Sequence, residues 1–168
     1  MVHLTKIYTK TGDQGFTDLA NKQRTLKTDL VIEAIGAVDE ANSAIGMATE
    51  YYNDILEKVQ NDLFDLGAEL TGSNKIKINQ ERIDWLENVI DDYNEYLEPL
   101  RSFVLPTGPL HNARAVVRRA ERRVWQVKND QVLSDLIPKY LNRLSDLLFV
   151  MARYYNRDNE VLWNIPRN

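Results

Sequence analysis

His111-Asn112-Ala113-Arg114-Ala115-Val116-Val117-Arg118-Arg119-Ala120-Glu121-Arg122-Arg123-Val124 reads as one amphipathic helix. At about 100° per residue, Arg114, Arg118, Glu121 and Arg122 fall within an arc of about 100°. Ala113, Val116, Val117, Ala120, Val124 and Val127 fall on the opposite side. One face therefore belongs to a core, and the other presents guanidiniums beside a carboxylate. Pro109 stands near the helix start, where its missing amide proton costs no hydrogen bond. Asn129-Asp130 closes the helix.

The same period recurs on both sides of this segment. A helix starting at the cap-like pair Thr28-Asp29 carries Ile32, Ile35, Val38, Ala41, Ala44, Ile45 and Ala48 at helical spacing. A second follows the cap Asn53-Asp54 through Leu56, Val59, Leu63, Leu66 and Leu70, and Thr71-Gly72-Ser73-Asn74 breaks it. A third runs from near Asn79 through Ile83, Leu86, Val89, Ile90 and Tyr93. After the loop punctuated by Pro99, Pro106, Gly108 and Pro109 comes the basic helix. The last runs from about Leu133 to Tyr155, with Pro138 tolerable only in its first turns. Five helices on mostly short loops predict an all-α, antiparallel five-helix bundle. Residues 1–28 show no helical period and form an irregular N-terminal arm, with no strand predicted before its turn-rich stretch at residues 9–15. No repeat or domain boundary interrupts residues 1–168, so a single domain is expected.

Composition agrees. Gly and Pro number 12 of 168 residues, about 7%, against roughly 12% in average chains, which disfavours sandwiches and long linkers. There is no cysteine, so disulfides, zinc–thiolate sites and thiol catalysis are excluded. Two histidines, His3 and His111, are too few for a multi-histidine metal centre. No apolar run approaches the ~20 residues of a membrane span, and MVHLTKIYTK lacks the apolar stretch of a signal peptide. A cytoplasmic protein without membrane or nucleic-acid partners is expected. Net charge is −4, yet residues 111–128 hold six bases against one acid. A basic segment on an acidic body suits a local anion site; a merely solvated helix face is the alternative.

Stacked arginines repel one another, so something anionic should meet them. Arginine forks match phosphate oxygens two at a time. Nearby acids such as Asp39 or Glu40 are the plainer explanation from the helix alone. The arm adds Thr9-Lys10-Thr11-Gly12-Asp13-Gln14-Gly15, a turn-rich stretch with two hydroxyls, an ammonium and backbone amides able to cup an anion. Lys22, Arg24 and Lys27 follow as further cations. Asn142 and Asp146 lie one turn apart on the last helix.

Taken together these segments resemble the PduO-type ATP:cob(I)alamin adenosyltransferases. The matching pieces are Ile7-Tyr8-Thr9-Lys10-Thr11-Gly12-Asp13-x-Gly15, then Gly36-x-x-Asp39-Glu40-x-Asn42-Ser43-x-Ile45-Gly46, and Phe103-x-Leu105-Pro106. After these come Arg114 through Arg118-Arg119-Ala120-Glu121-Arg122, and Asn142-Arg143-Leu144-Ser145-Asp146 with Ala152-Arg153-Tyr154. Five ordered motifs over nearly the whole chain are far more specific than any one of them.

The resemblance implies transfer of the 5′-deoxyadenosyl group of ATP to the cobalt of cob(I)alamin, with Mg²⁺, in a homotrimer whose active sites lie between subunits. A cobalamin reductase or an adenosylcobalamin-dependent enzyme would be a further partner. It assigns ATP to Thr9, Lys10, Thr11, Gly12, Thr17, Asp18 and Lys27 of the arm, and to Arg118, Arg119, Glu121, Arg122 and Asn142 of the helices. It pairs Asp39 with Arg114 across the subunit interface and puts Phe103 beneath the corrin. Arg118, Asp39, Arg114 and Phe103 are thus the expected catalytic group. The step from Phe103 to Arg114 is eleven residues, shorter than is usual in the family. A nucleotide-binding regulatory bundle and a structural adaptor bundle are the competing readings.

Overall fold

The computed structural model of the chain describes residues 7–73, 76–130 and 133–164. His3 lies outside them. Two short strands, β1 (Phe16–Asp18) and β2 (Arg24–Leu26), precede five helices: α1 (Leu30–Gly46), α2 (Asp54–Leu70), α3 (Gln80–Asn94), α4 (Gly108–Asp130) and α5 (Leu136–Asn156). Single 3₁₀ turns follow α1 and α5, at Thr49–Tyr51 and Arg157–Asn159.

Helix boundaries follow local chemistry. Asn53 Oδ1 accepts from the amides of Ile55 and Leu56, and Asn79 Oδ1 from that of Arg82. Each cap satisfies amides that the first turn leaves without partners. Asp29 precedes α1 in extended conformation, but its carboxylate accepts from the Leu26 amide, so it ties the helix to the arm instead of capping it. α5 starts at Leu136, three residues later than the sequence suggested, and Pro138 sits in its first turn.

α1 packs against α2 and α4, α4 against α5, and α5 against α3. The apolar stripes meet in one core, in which Ile45, Leu63, Ile83, Val117, Leu144 and Leu148 are all but inaccessible to water. The face of α4 opposite its arginines is part of it: Ala113, Val117, Ala120, Val124 and Val127 are buried, and Val116 is half-buried. A polar bracket joins α2, α3 and α5. Buried Asp62 accepts from the Tyr140 hydroxyl at 3.0 Å and pairs with Arg82 at 3.0 Å and Lys58 at 3.3 Å. The Lys58 ammonium also lies 3.9 Å over the Trp85 ring. Burial and the Asp62 charge push the Tyr140 phenol well above its usual pKa, so it stays a donor.

The arm carries the only two strands among the described residues, both after its turn-rich stretch. β1 and β2 pair antiparallel, with Thr17 opposite Thr25. The connection turns at Leu19, whose carbonyl accepts from Lys22, and then places Lys22 at φ 67° in the left-handed region. Such three-residue hairpin loops usually mark that position with glycine. Here a lysine occupies it, so the signal that would have revealed the hairpin is missing.

Candidate active site

The arginine face of α4 opens onto a cavity of about 400 Å³ lined by Arg114, Ala115, Arg118, Glu121, Arg122 and Asn142. Five of these residues come from consecutive turns of α4, and Asn142 reaches in from α5. Among the described residues Arg114, Arg118 and Arg122 have no ion-pair partner. Arg119 and Arg123 do: Arg119 contacts Glu40 and Arg123 lies 3.3 Å from Glu33, both acids on α1. Neighbouring acids therefore neutralise one edge of the basic face and leave the other unpaired. A second, smaller hollow of about 290 Å³ lies between Arg119, Arg122, Arg123 and Gln126.

Among these cations, Arg114 sits in surroundings that disfavour its charge. The Arg114 guanidinium lies 5.2 Å over the Phe149 ring. Its pKa is lowered first by partial burial and then by the Arg118 charge, with Asp146 acting the other way. Asp146, on α5, shows the converse: burial raises its carboxyl pKa although Arg143, Arg114 and Arg118 all pull it down. Asn142 bridges the two helices. Its Nδ2 donates to Glu121 Oε1 at 3.4 Å, and its Oδ1 accepts from Arg143 at 2.7 Å.

The arm gathers a second group. The Thr9 and Thr11 hydroxyls are 2.9 Å apart, and Lys10 between them has φ 63°. A Cβ on Gly12 would stand 3.0 Å from Lys27 Nζ and 3.1 Å from the Phe16 carbonyl oxygen, so the loop packs directly on the hairpin. Arg24 holds it there, donating to the Thr11 carbonyl at 2.6 Å and to Asp18 at 3.3 Å. The sequence marks Arg24 only as an extra cation, since no spacing signal distinguishes it. Thr17 sits on β1, half-buried. The hairpin flanks the start of α1 and Val127 near the end of α4, around a cavity of about 600 Å³. Val127 is nine residues beyond Arg118, about 14 Å along the helix. Among the described residues no hydrogen bond or ion pair joins arm to arginine cavity.

The expected pair of Asp39 and Arg114 is not formed within the chain. Exposed Asp39 lines a groove of about 380 Å³ between α1 and α2, beside Ile35, Gly36 and Phe64. Arg114 sits between α4 and α5. Phe103 occupies the loop before α4 and is 76% exposed. The backbone around it pairs with the C-terminal stretch: Val104 bridges Leu162, and the Leu105 amide donates to the Val161 carbonyl at 2.8 Å. Trp163, its ring 6.0 Å from that of Phe103, was not foreseen from the sequence.

The family model described as cobalamin adenosyltransferase matches residues 7–155. The chain belongs to the cobalamin adenosyltransferase family. A corrinoid adenosyltransferase of Mycobacterium leprae is 46% identical, over 96% of this chain and 97% of the relative. A corrinoid adenosyltransferase of Bacillus subtilis is 39% identical, over 90% of this chain and 86% of the relative. Among solved structures, a variant PduO-type ATP:corrinoid adenosyltransferase from Lactobacillus reuteri complexed with cobalamin and ATP superposes with a TM-score of 0.86. It is 35% identical and covers 95% of this chain and 100% of its own. Another variant of that protein, complexed with ATP, gives 0.86 at 34% identity, covering 94% and 100%.

Among the described residues there is no cluster of three His, Cys, Asp or Glu able to hold a metal ion. Nor is any described helix long and apolar enough to cross a membrane.

Proposed function

We propose that this chain transfers the 5′-deoxyadenosyl group of ATP to the cobalt of cob(I)alamin, giving adenosylcobalamin and triphosphate. The observation that carries the reading is the cavity in which Arg114, Arg118 and Arg122 lack ion-pair partners among the described residues, beside Asn142, in a chain of this family. The electron pair of cob(I)alamin attacks C5′, the cobalt–carbon bond forms, and the C5′–oxygen bond breaks with its pair leaving on triphosphate. The nucleophile belongs to the substrate. The protein's task is to hold the phosphates, align the chain of atoms and stabilise the departing charge.

Arg118 and Arg122 take the phosphates on α4, with Arg119 at the edge. Thr9, Lys10, Thr11 and Gly12, with Thr17, Asp18 and Lys27 behind them, form the other half of the nucleotide site. Among the described residues no hydrogen bond or ion pair joins the two halves. They are completed between subunits of a homotrimer, as the family resemblance implies. The Asp39 carboxylate and the Arg114 guanidinium, each without an ion-pair partner among the described residues, meet across that interface. The groove with exposed Phe64 offers the apolar surface for it. Phe103, projecting from a backbone-paired loop, lies beneath the corrin and keeps the lower ligand off cobalt. Mg²⁺ fits this donor set: it commonly binds through one or two carboxylates plus substrate phosphates, and Glu121 is the carboxylate lining the cavity. When bound it supplies charge neutralisation of the triphosphate. Residues 1–168 act as one domain, in the cytoplasm, fed by a cobalamin reductase or delivering to an adenosylcobalamin-dependent enzyme.

The test is direct. Purified protein with ATP, Mg²⁺ and chemically reduced cobalamin should develop the adenosylcobalamin spectrum. Cobalamin that stays unalkylated under those conditions overturns the reading.

A further inference from the structure

Asn142 is adjustable in principle, because its side-chain amide can present either its oxygen or its NH₂ to the cavity. Its neighbours remove that freedom. The Arg143 guanidinium has donors only and reaches one end of the amide at 2.7 Å, so that end must be Oδ1. The Glu121 carboxylate has acceptors only and faces the other end at 3.4 Å, so that end must be Nδ2. Arg143 is fixed in turn by α3: its Nε donates to Glu87 Oε1 at 2.7 Å, a charge-assisted bond. Glu87 and Arg143 do not line the arginine cavity.

We infer that Glu87 and Arg143 are positioning residues that lock the Asn142 amide with its NH₂ toward the cavity, as a donor for an oxygen of the bound nucleotide. The lock matters because the cavity is rich in guanidiniums. Left free, the amide oxygen would turn to Arg118 or Arg122, occupying a cation meant for phosphate and withdrawing the NH₂. Arg143 supplies that oxygen with a cation of its own from outside the site. Asn142 thus adds a neutral donor whose direction is set by a helix, α3, that contributes nothing else to the cavity. The inference rests on the nucleotide-site reading of the cavity above.

The experiment is a double-mutant cycle read by calorimetric titration with MgATP, which needs no corrinoid and no turnover. Arg143→Met should weaken MgATP binding about tenfold, the lower end of what removing a ligand-orienting partner costs. Asn142→Ala should weaken it at least as much, and adding Arg143→Met to Asn142→Ala should change nothing further. Glu87→Gln, at a partly exposed site where folding is not at stake, should weaken binding in the same direction by less. Arg143→Met binding within twofold of wild type, or an equal loss with and without Asn142, overturns the inference. Wild-type protein that binds no MgATP overturns it together with the nucleotide site. Protein that binds MgATP but forms no adenosylcobalamin overturns the transfer reading alone, and the cycle still decides the lock.

Discussion

The backbone amide of Trp163 donates to the carbonyl of Phe103 at 2.6 Å, and their two rings lie 6.0 Å apart. With the Val104–Leu162 bridge beside it, this contact pins the loop before α4 to the C-terminal stretch. The pin is anchored further back by Arg153, which donates to Glu160 and to the Glu98 carbonyl, both at 2.9 Å. Phe103 is therefore held by its backbone while its ring remains exposed.

That arrangement separates two roles for Phe103. A ring plugging the core would cost ~3–5 kcal/mol on truncation. A ring this exposed should cost well under ~1 kcal/mol, the range of surface substitutions. Phe103→Ala is expected to unfold within a degree or two of wild type in a thermal scan and to lose the four-coordinate cob(II)alamin signal in electron paramagnetic resonance. A large drop in melting temperature with an unaltered cobalt spectrum would assign it to the core instead.

Arg118→Ala should lower kcat/KM by a factor of order 10², equivalent to ~3 kcal/mol for one lost charge-stabilising donor. Arg118→Lys should also be impaired, since a point charge cannot reproduce the fork. Steady-state kinetics at saturating corrinoid would show it, and near-wild-type kcat/KM for Arg118→Ala would remove Arg118 from the mechanism.

Asp39 and Arg114 should couple between subunits. Asp39→Asn strips a partly desolvated guanidinium of its partner, a loss on the order of 3–5 kcal/mol when the pair is buried. Light scattering should then report fewer trimers at micromolar concentration. Asp39→Arg combined with Arg114→Asp should restore assembly relative to either change alone. A wild-type protein that is monomeric at that concentration contradicts the assembly.

His111 should make the fold acid-sensitive. It is 4% exposed, its Nδ1 has no hydrogen-bond partner, and its ring meets Phe149 edge-on at 5.9 Å. Burial lowers its pKa, the Arg114 charge lowers it further, and Glu160 opposes. The unfolded chain binds this proton near pH 6.5, before the folded chain does. Stability from this group is therefore complete above about pH 6.5 and is lost as pH falls toward the folded pKa. His111→Phe should show a smaller decline in melting temperature between pH 7 and 5 than wild type; parallel declines would clear His111.

The sequence by itself determined the five helices, the caps of α2 and α3, and the chemistry of the α4 faces. Period, caps and breakers act within a few residues, so Asn53 and Asn79 are legible where they stand. The family was legible too, because its motifs are short and ordered. The hairpin of the arm was not, since Lys22 takes the left-handed position without the usual glycine. Nor could spacing tell which arginines are neutralised. Glu40 and Glu33 meet Arg119 and Arg123 only because α1 packs along one edge of α4, leaving Arg114, Arg118 and Arg122 without ion-pair partners among the described residues. The orientation of Asn142 likewise depends on Glu87, 55 positions away along the chain. Such pairings are set by helix packing, where partners meet across elements, and a one-dimensional pattern carries no record of which faces will touch.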